Sequence, residues 1–189
     1  MNYFRVILPP SELRDMQRSF MSSALLFPHS RAFPETQLLA SSGEKNYTLA
    51  NVQEFFTDIA YPLGWEQYKV GSMNTLLGGL ESPGVQTHCI YGTGVPTPER
   101  FDWAKGQVLG YFSYNFYFPG YQPTIVKGDG DGTVNRNSAE VCVQWQQEEA
   151  RKKNGVKITV HNIEGAEHMA IMRDPKMIET VKLALYDKL

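Results

Sequence analysis

Two short segments concentrate the residues that could do chemistry. Gly128-Asp129-Gly130-Asp131-Gly132-Thr133-Val134 places two carboxylates among three glycines, and Glu164-Gly165-Ala166-Glu167-His168 places a histidine beside two more carboxylates. A histidine acts as a general base when a carboxylate holds one ring nitrogen protonated and stabilises the imidazolium that forms. Asp131 and His168 lie 37 residues apart, room for one helix and one strand. The glycines let the Asp131 loop turn sharply. Asp-Gly pairs also form ordinary turns, so Asp131 has a plain reading as a turn-former. Asp129, Asp131 and Glu140 also fall at positions 1, 3 and 12 of a calcium loop. Position 6 is then Val134 where glycine is needed, and a strand precedes the loop instead of a helix, so no metal site is expected. His29, His88 and His161 have no comparable placement.

The elements around these loops must position them. Residues 11–21 read as a short helix, and Ala24–Lys45 as irregular chain rich in Pro, Ser and Gly. Thr48 can cap a helix whose apolar face is Leu49, Val52, Phe55, Phe56 and Ile59, ended by Pro62 and Gly64. Gly71–Gly84 is loop-like. Val85–Tyr91 is rich in β-formers and stops at Gly92-Thr93-Gly94; Thr124-Ile125-Val126 is a second strand running into the Asp131 loop. Asn137 is placed to cap a helix, with Glu140 as reciprocal partner. That helix carries Val141, Cys142, Trp145, Glu148 and Glu149 and ends near Asn154-Gly155. Val156–Ile163 alternates as a strand, and Asp174-Pro175 opens a last helix with Ile178, Val181 and Leu185 on its buried face. Strands alternating with helices are α/β order. In such sheets ligands sit at the carboxyl ends of strands, where both loops lie. An acid loop after one strand, a histidine loop after the next and one closing helix are the ending of an α/β-hydrolase, whose triad runs nucleophile, acid, histidine.

Composition closes several classes. Apolar residues at 42% and charged residues at 20% are globular values. With 18 basic and 20 acidic residues and only the short run Arg151-Lys152-Lys153, the chain carries no nucleic-acid footprint. No stretch reaches a membrane span. The opening Met1–Pro10 is too short in its apolar part for a signal peptide, which reads as a cytosolic chain if made as written. Asn46-Tyr47-Thr48, a glycosylation sequon, and an even count of two cysteines point the other way. Residues 101–121 hold nine aromatics. They read as rings packed on the sheet, or alternatively as a lipid-facing surface.

Several segments together carry a family resemblance. His88-Cys89-Ile90-Tyr91-Gly92-Thr93-Gly94-Val95-Pro96-Thr97-Pro98 resembles a strand and turn of the lecithin:cholesterol acyltransferase and group XV lysosomal phospholipase A family. Gly128–Asn135 is similar to its acid loop, Ser138–Cys142 with Trp145 to its cysteine-bearing helix, and Gly165-Ala166-Glu167-His168 to its histidine loop. Upstream, Asn46–Leu49, Phe55–Ile59 and Gly64-Trp65 match as well.

The resemblance runs from about residue 11 to the C-terminus. It implies the C-terminal half of an α/β-hydrolase fold with part of a lipid-binding cap, residues 1–80 being cap-associated and 81–189 the core. It implies phospholipase A and transacylase activity on glycerophospholipids at a lipid surface, without a cofactor, in a lysosomal or secreted protein. By motif match, Asp131 is the triad acid, His168 the base, Cys89 and Cys142 a disulfide, and Asn46 a glycosylation site. The chain departs from the family in two respects: it has no Gly-x-Ser-x-Gly, Ser72, Ser82 and Ser113 lacking that context, and its stretch Phe101–Pro123 is longer and more aromatic than the resemblance implies. The expectation is a chain that lacks the family's nucleophile-bearing first half, partners that half, and is inactive alone. The alternative is a non-catalytic fragment that binds lipid or a partner chain.

Overall fold

A computed structural model describes residues 10–74, 79–105 and 123–186, with side chains from 14–71, 79–105 and 123–186. Most of the aromatic stretch (106–122), the opening residues and Ser113 lie outside the described residues. The described chain divides into two compact units.

The first unit comprises residues up to His29, Glu35–Gly79 and Phe101–Thr124. Helices α1 (Pro10–Ser19) and α2 (Met21–Ala24) open it. The Pro/Ser/Gly-rich stretch expected to be irregular instead supplies β1 (Leu38–Ser41), antiparallel to β2 (Asn46–Thr48). Gly43 turns the pair at φ +76, where a side chain would strike the Lys105 backbone. Thr48 opens a 3-10 turn that leads into α3 (Val52–Asp58), and its N–H donates to Asn51 Oδ1 at 2.6 Å. Pro62 does not end that helix. It starts another, α4 (Pro62–Tyr68), because proline's missing N–H is free of cost at a first helical position. A π-helical turn (Lys69–Asn74) follows where a loop was expected.

The first unit's core is aromatic. Phe56 is fully buried, with Phe27 at 4.9 Å, Tyr61 at 6.0 Å and Phe55 at 5.9 Å between ring centroids. Ala40, Tyr47 and Trp103 form an adjacent buried cluster with Phe55 and Phe101 against it. The Tyr68 hydroxyl donates to the Pro28 carbonyl at 3.0 Å, which gives the buried ring a polar exit.

The second unit comprises Ser30–Pro34, Leu80–Arg100 and Ile125–Leu189. Its centre is a parallel pair, β3 (Thr87–Thr93) beside β6 (Ile158–Glu164), in register from Thr87 against Ile158 to Thr93 against Glu164. β3 starts and ends two residues later than the β-former run suggested and passes straight through Gly92-Thr93. Gly92 is needed there because a Cβ would lie 2.1 Å from the Ala166 carbonyl oxygen. β4 (Thr97–Asp102), unexpected because Pro96 precedes it and Pro98 is its second residue, has its first four residues in this unit and lies beside β5 (Thr124–Gly128).

Asn137 is not a cap. Asn135 precedes a short helix, α5 (Arg136–Ala139), and Glu140 precedes α6 (Val141–Lys152). The Asn135 side chain donates instead to the Pro98 carbonyl at 3.0 Å. α6 is tied to β3 by the Cys89–Cys142 disulfide, Cα–Cα 6.4 Å, and to β6 by Gln146 donating to Ile158 O at 2.9 Å. Arg31 reaches Gln144 and Glu148 on the same helix, which secures the 30–34 segment. Glu149 on α6 is buried, and bonds from Lys152, Asn154 and Ser82 hold its carboxyl down at a pKa of about 2.

The last helix, α7 (Pro175–Leu185), begins where expected, with Asp174 accepting the Lys176 N–H at 2.8 Å. Its inner face is rotated from the expected one. Ile178 is 39% and Leu185 77% exposed, while Met177, Thr180, Val181 and Ala184 are half-buried. The spacing of 177, 180, 181 and 184 is itself helical, so the residue types alone did not identify the stripe that packs.

Candidate active site

The carboxyl ends of β3, β5 and β6 each run into a loop within the second unit, and hydrogen bonds join the three loops. Val95 N–H donates to Gly130 O at 2.9 Å, Gly165 N–H to Thr93 O at 2.7 Å, and His168 N–H to Asp131 O at 2.8 Å. The acid loop carries Asp131 between two glycines that only glycine could occupy. A Cβ at 130 would lie 2.2 Å from Val134 O, and Gly132 has φ +91. Turn geometry is thus set by sterics before any side chain acts.

Asp131 and His168 meet directly. His168 Nδ1 lies 2.9 Å from Asp131 Oδ2. Asp131 Oδ1 accepts the backbone N–H groups of Val134 at 2.7 Å and Thr133 at 3.0 Å. Burial of Asp131 pushes its carboxyl upward, but the bonds from Val134, His168 and Thr133 outweigh that and hold it below its ordinary value. The group is therefore an ionised carboxylate near neutral pH, which can only accept. Nδ1 must then be the protonated nitrogen, and Nε2 carries the lone pair. Among the described residues Nε2 makes no hydrogen bond, and the ring is 42% exposed while Asp131 is 13% exposed. The arrangement is a histidine tautomer fixed by a carboxylate with its basic nitrogen open, the geometry a proton acceptor requires.

The neighbouring carboxylates have other work. Asp129 Oδ1 accepts Gly94 N–H at 2.7 Å and Oδ2 accepts Arg136 at 3.1 Å; both keep it ionised. Arg136 also donates to Glu140 at 2.7 Å. A guanidinium therefore bridges two of the three groups that a calcium reading would need, and among the described residues no cluster suited to a metal occurs. Glu164 and Glu167 are exposed and are not the histidine's partner. His88 and His161 pair with each other across β3 and β6, Nδ1 to Nε2 at 3.2 Å. Their centroids lie 5.5 Å apart and the rings are within 17° of coplanar. That separation equals the N···N distance plus the two ring radii, so the rings meet end to end through one N–H···N bond and not face to face.

Sequence reasoning passed over Thr97, Asn135 and Arg136. Thr97 is fully buried under the acid loop, and its hydroxyl donates to Val95 O at 2.8 Å while accepting Gly132 N–H at 2.8 Å. A threonine between prolines gave no sign of this. Asn46 is exposed at the first position of β2, and its carbonyl accepts from Asn51 Nδ2 at 3.1 Å.

The chain matches the family model described as lecithin:cholesterol acyltransferase over residues 1–175. It is 36% identical over 159 residues to the phosphatidylcholine-sterol acyltransferase of Gallus gallus, covering 84% of this chain and 34% of that protein. It is 31% identical over 182 residues to the lysosomal phospholipase A and acyltransferase of Rattus norvegicus, covering 96% of this chain and 40% of that protein. With its counterpart in Homo sapiens it shares 32% identity over 179 residues, 95% of this chain and 39% of the relative. The chain thus spans between a third and two fifths of the length of these curated relatives. No helix among the described residues is long and apolar enough to cross a membrane. Mixed helix and sheet, a carboxylate-fixed histidine and a match over nearly the whole length lead to one conclusion: the chain belongs to the lecithin:cholesterol acyltransferase family.

Proposed function

We propose that these 189 residues supply the acid and the base of a lipid acyl-transfer centre, the C-terminal half of an α/β-hydrolase. Asp131 is the acid and His168 the general base, and the substrate is an acyl ester of a glycerophospholipid. The nucleophile is a serine outside these residues. His168 Nε2 takes the serine hydroxyl proton as its oxygen attacks the ester carbonyl. The same proton passes to the leaving alcohol oxygen of the lysophospholipid as the C–O bond breaks. Water or an alcohol acceptor, deprotonated by His168 in turn, then takes the acyl group, and His168 returns that proton to the serine oxygen as the acyl–serine bond breaks. Asp131 stays ionised throughout and stabilises the imidazolium. The carrying observation is the 2.9 Å Nδ1···Oδ2 contact, with the other carboxylate oxygen anchored by two backbone N–H groups.

In this reading residues 81–189 form the core that carries the two loops, and residues 1–80 are cap-associated. The Cys89–Cys142 bridge suits an oxidising compartment, lysosomal or extracellular, where Asn46 would carry a glycan. The 189 residues alone hold neither the nucleophile motif nor its oxyanion hole, so alone they do not turn over ester. The test uses a phospholipid and a short-chain ester, with a serine-directed fluorophosphonate as label. The chain alone should give neither turnover nor labelling. A polypeptide joining it to the serine-bearing segment should give both, and His168→Ala should abolish turnover while leaving the disulfide formed. Stoichiometric labelling of a serine within the 189 residues would overturn the assignment. Vesicle binding without turnover in the joined polypeptide would favour a lipid-binding fragment instead.

A further inference from the structure

The acid of a catalytic pair must be held in angle as well as in distance, and the Asp131 peptide is held on both sides. On its N-terminal side Gly130 O accepts from Val95 N–H at 2.9 Å. On its C-terminal side Gly132 N–H donates to the Thr97 hydroxyl at 2.8 Å, and that hydroxyl donates onward to Val95 O at 2.8 Å. A single buried oxygen thus joins the turn after β3 to the turn that aims Asp131. Thr97 is 0% exposed. The loop also packs against it, since a Cβ on Gly130 would come within 2.5 Å of Thr97 Oγ1. Pro96 and Pro98 flank it and have no backbone N–H to donate. Its two roles, one proton given and one accepted, need an O–H of this reach.

We propose that Thr97 is a positioning residue for the Asp131–His168 pair, orienting the carboxylate through Gly132; this rests on the acid–base reading above. Valine keeps the volume and loses both bonds, leaving the half-buried Gly132 N–H facing a methyl group in place of its partner. The Asp131 turn then relaxes, and His168 Nδ1–H loses its fixed acceptor. Serine restores the hydroxyl. Long-range proton–nitrogen NMR on histidine-labelled protein carrying these 189 residues reports which His168 nitrogen holds the proton, with His168→Gln assigning the signal. Wild type and Thr97→Ser should show Nδ1–H, and Thr97→Val should lose it to an Nε2–H mixture. In the polypeptide joined to the serine segment, Thr97→Val should lower kcat roughly 10–100-fold with KM unchanged. Should the valine variant not fold, Thr97→Cys keeps a weak donor and acceptor and should give a partial loss. A wild-type His168 signal in Thr97→Val or, failing that, in Thr97→Cys overturns the role of Thr97 and leaves the acid–base reading standing. An unchanged signal in Asp131→Asn overturns that reading itself.

Discussion

The two units of this chain are held together by different chemistry. In the first, rings do the packing: the ring centroids of Phe27, Phe55, Tyr61 and Tyr68 lie 4.9–6.3 Å from that of Phe56, which sees no solvent. In the second, few large side chains are buried, and order comes from hydrogen bonds between loops, a disulfide, and backbone positions that admit only glycine. Dispersion and apolar burial are non-directional and tolerate small displacements. Hydrogen bonds are not, and weaken steeply with angle. Catalysis needs the second kind of order, because a carboxylate displaced by an ångström no longer fixes its histidine. The division places the directional bonds around Asp131 and His168 and leaves the bulk to the rings.

Three experiments probe that contrast. The largest effect is expected at Phe56. Phe56→Ala should cost about 3–5 kcal/mol of stability in urea unfolding, and Phe56→Leu clearly less, since a ring-packed core accepts hydrophobic repacking. Equal costs for the two would mean that the first unit depends on ring geometry as strictly as the second depends on its bonds.

Next is the disulfide. Replacing both Cys89 and Cys142 by Ala should cost about 4 kcal/mol, the chain-entropy value for a closed segment of 53 residues. Unfolding midpoints unaltered by reductant would show that α6 is secured to β3 without it.

The smallest effect is in pH. Burial first, and the charge of His88 second, lower the His161 pKa from its ordinary 6.5. A lowered imidazole value means the fold prefers the neutral ring. Its contribution is fully present above 6.5 and is lost as the pH falls through the lowered folded-state value. A second proton also breaks the N–H···N bond to His88. Stability should therefore decline on acidification below pH 6.5, and His161→Gln should flatten that decline in a pH series of thermal melts. A wild type and variant with parallel profiles would remove the pair from the account.

How much of this was legible beforehand follows the same division. The helix of α3, the closing helix with its Asp-Pro start, and the order strand, acid loop, helix, strand, histidine loop could be read from periodicity and punctuation, since they rest on local rules. The Asp131–His168 contact was anticipated from the placement of two loops at strand ends. β1 and β4 were not read, because each depends on pairing with a distant segment: Ala40 and Ser41 lie against Phe101 and Asp102. Pro96 and Pro98 hid β4, although one precedes it and the other occupies its second position. The buried face of α7 was misread by about one residue because Ile178 and Leu185 are apolar yet exposed. Thr97 was invisible, since a buried hydroxyl bridging two turns leaves no trace in spacing.

In the proposed chemistry Asp131 and His168 act as one unit. A double-mutant cycle on phospholipid turnover, in the polypeptide that joins these residues to the serine-bearing segment, tests this most directly. Asp131→Asn alone should lower kcat by about 10⁴, by analogy with the same change in a serine protease triad, and His168→Ala at least as much. The double variant should be no slower than His168→Ala. If the two losses multiply, or if Asp131→Asn leaves kcat unchanged, the carboxylate does not act through this histidine and the assignment fails.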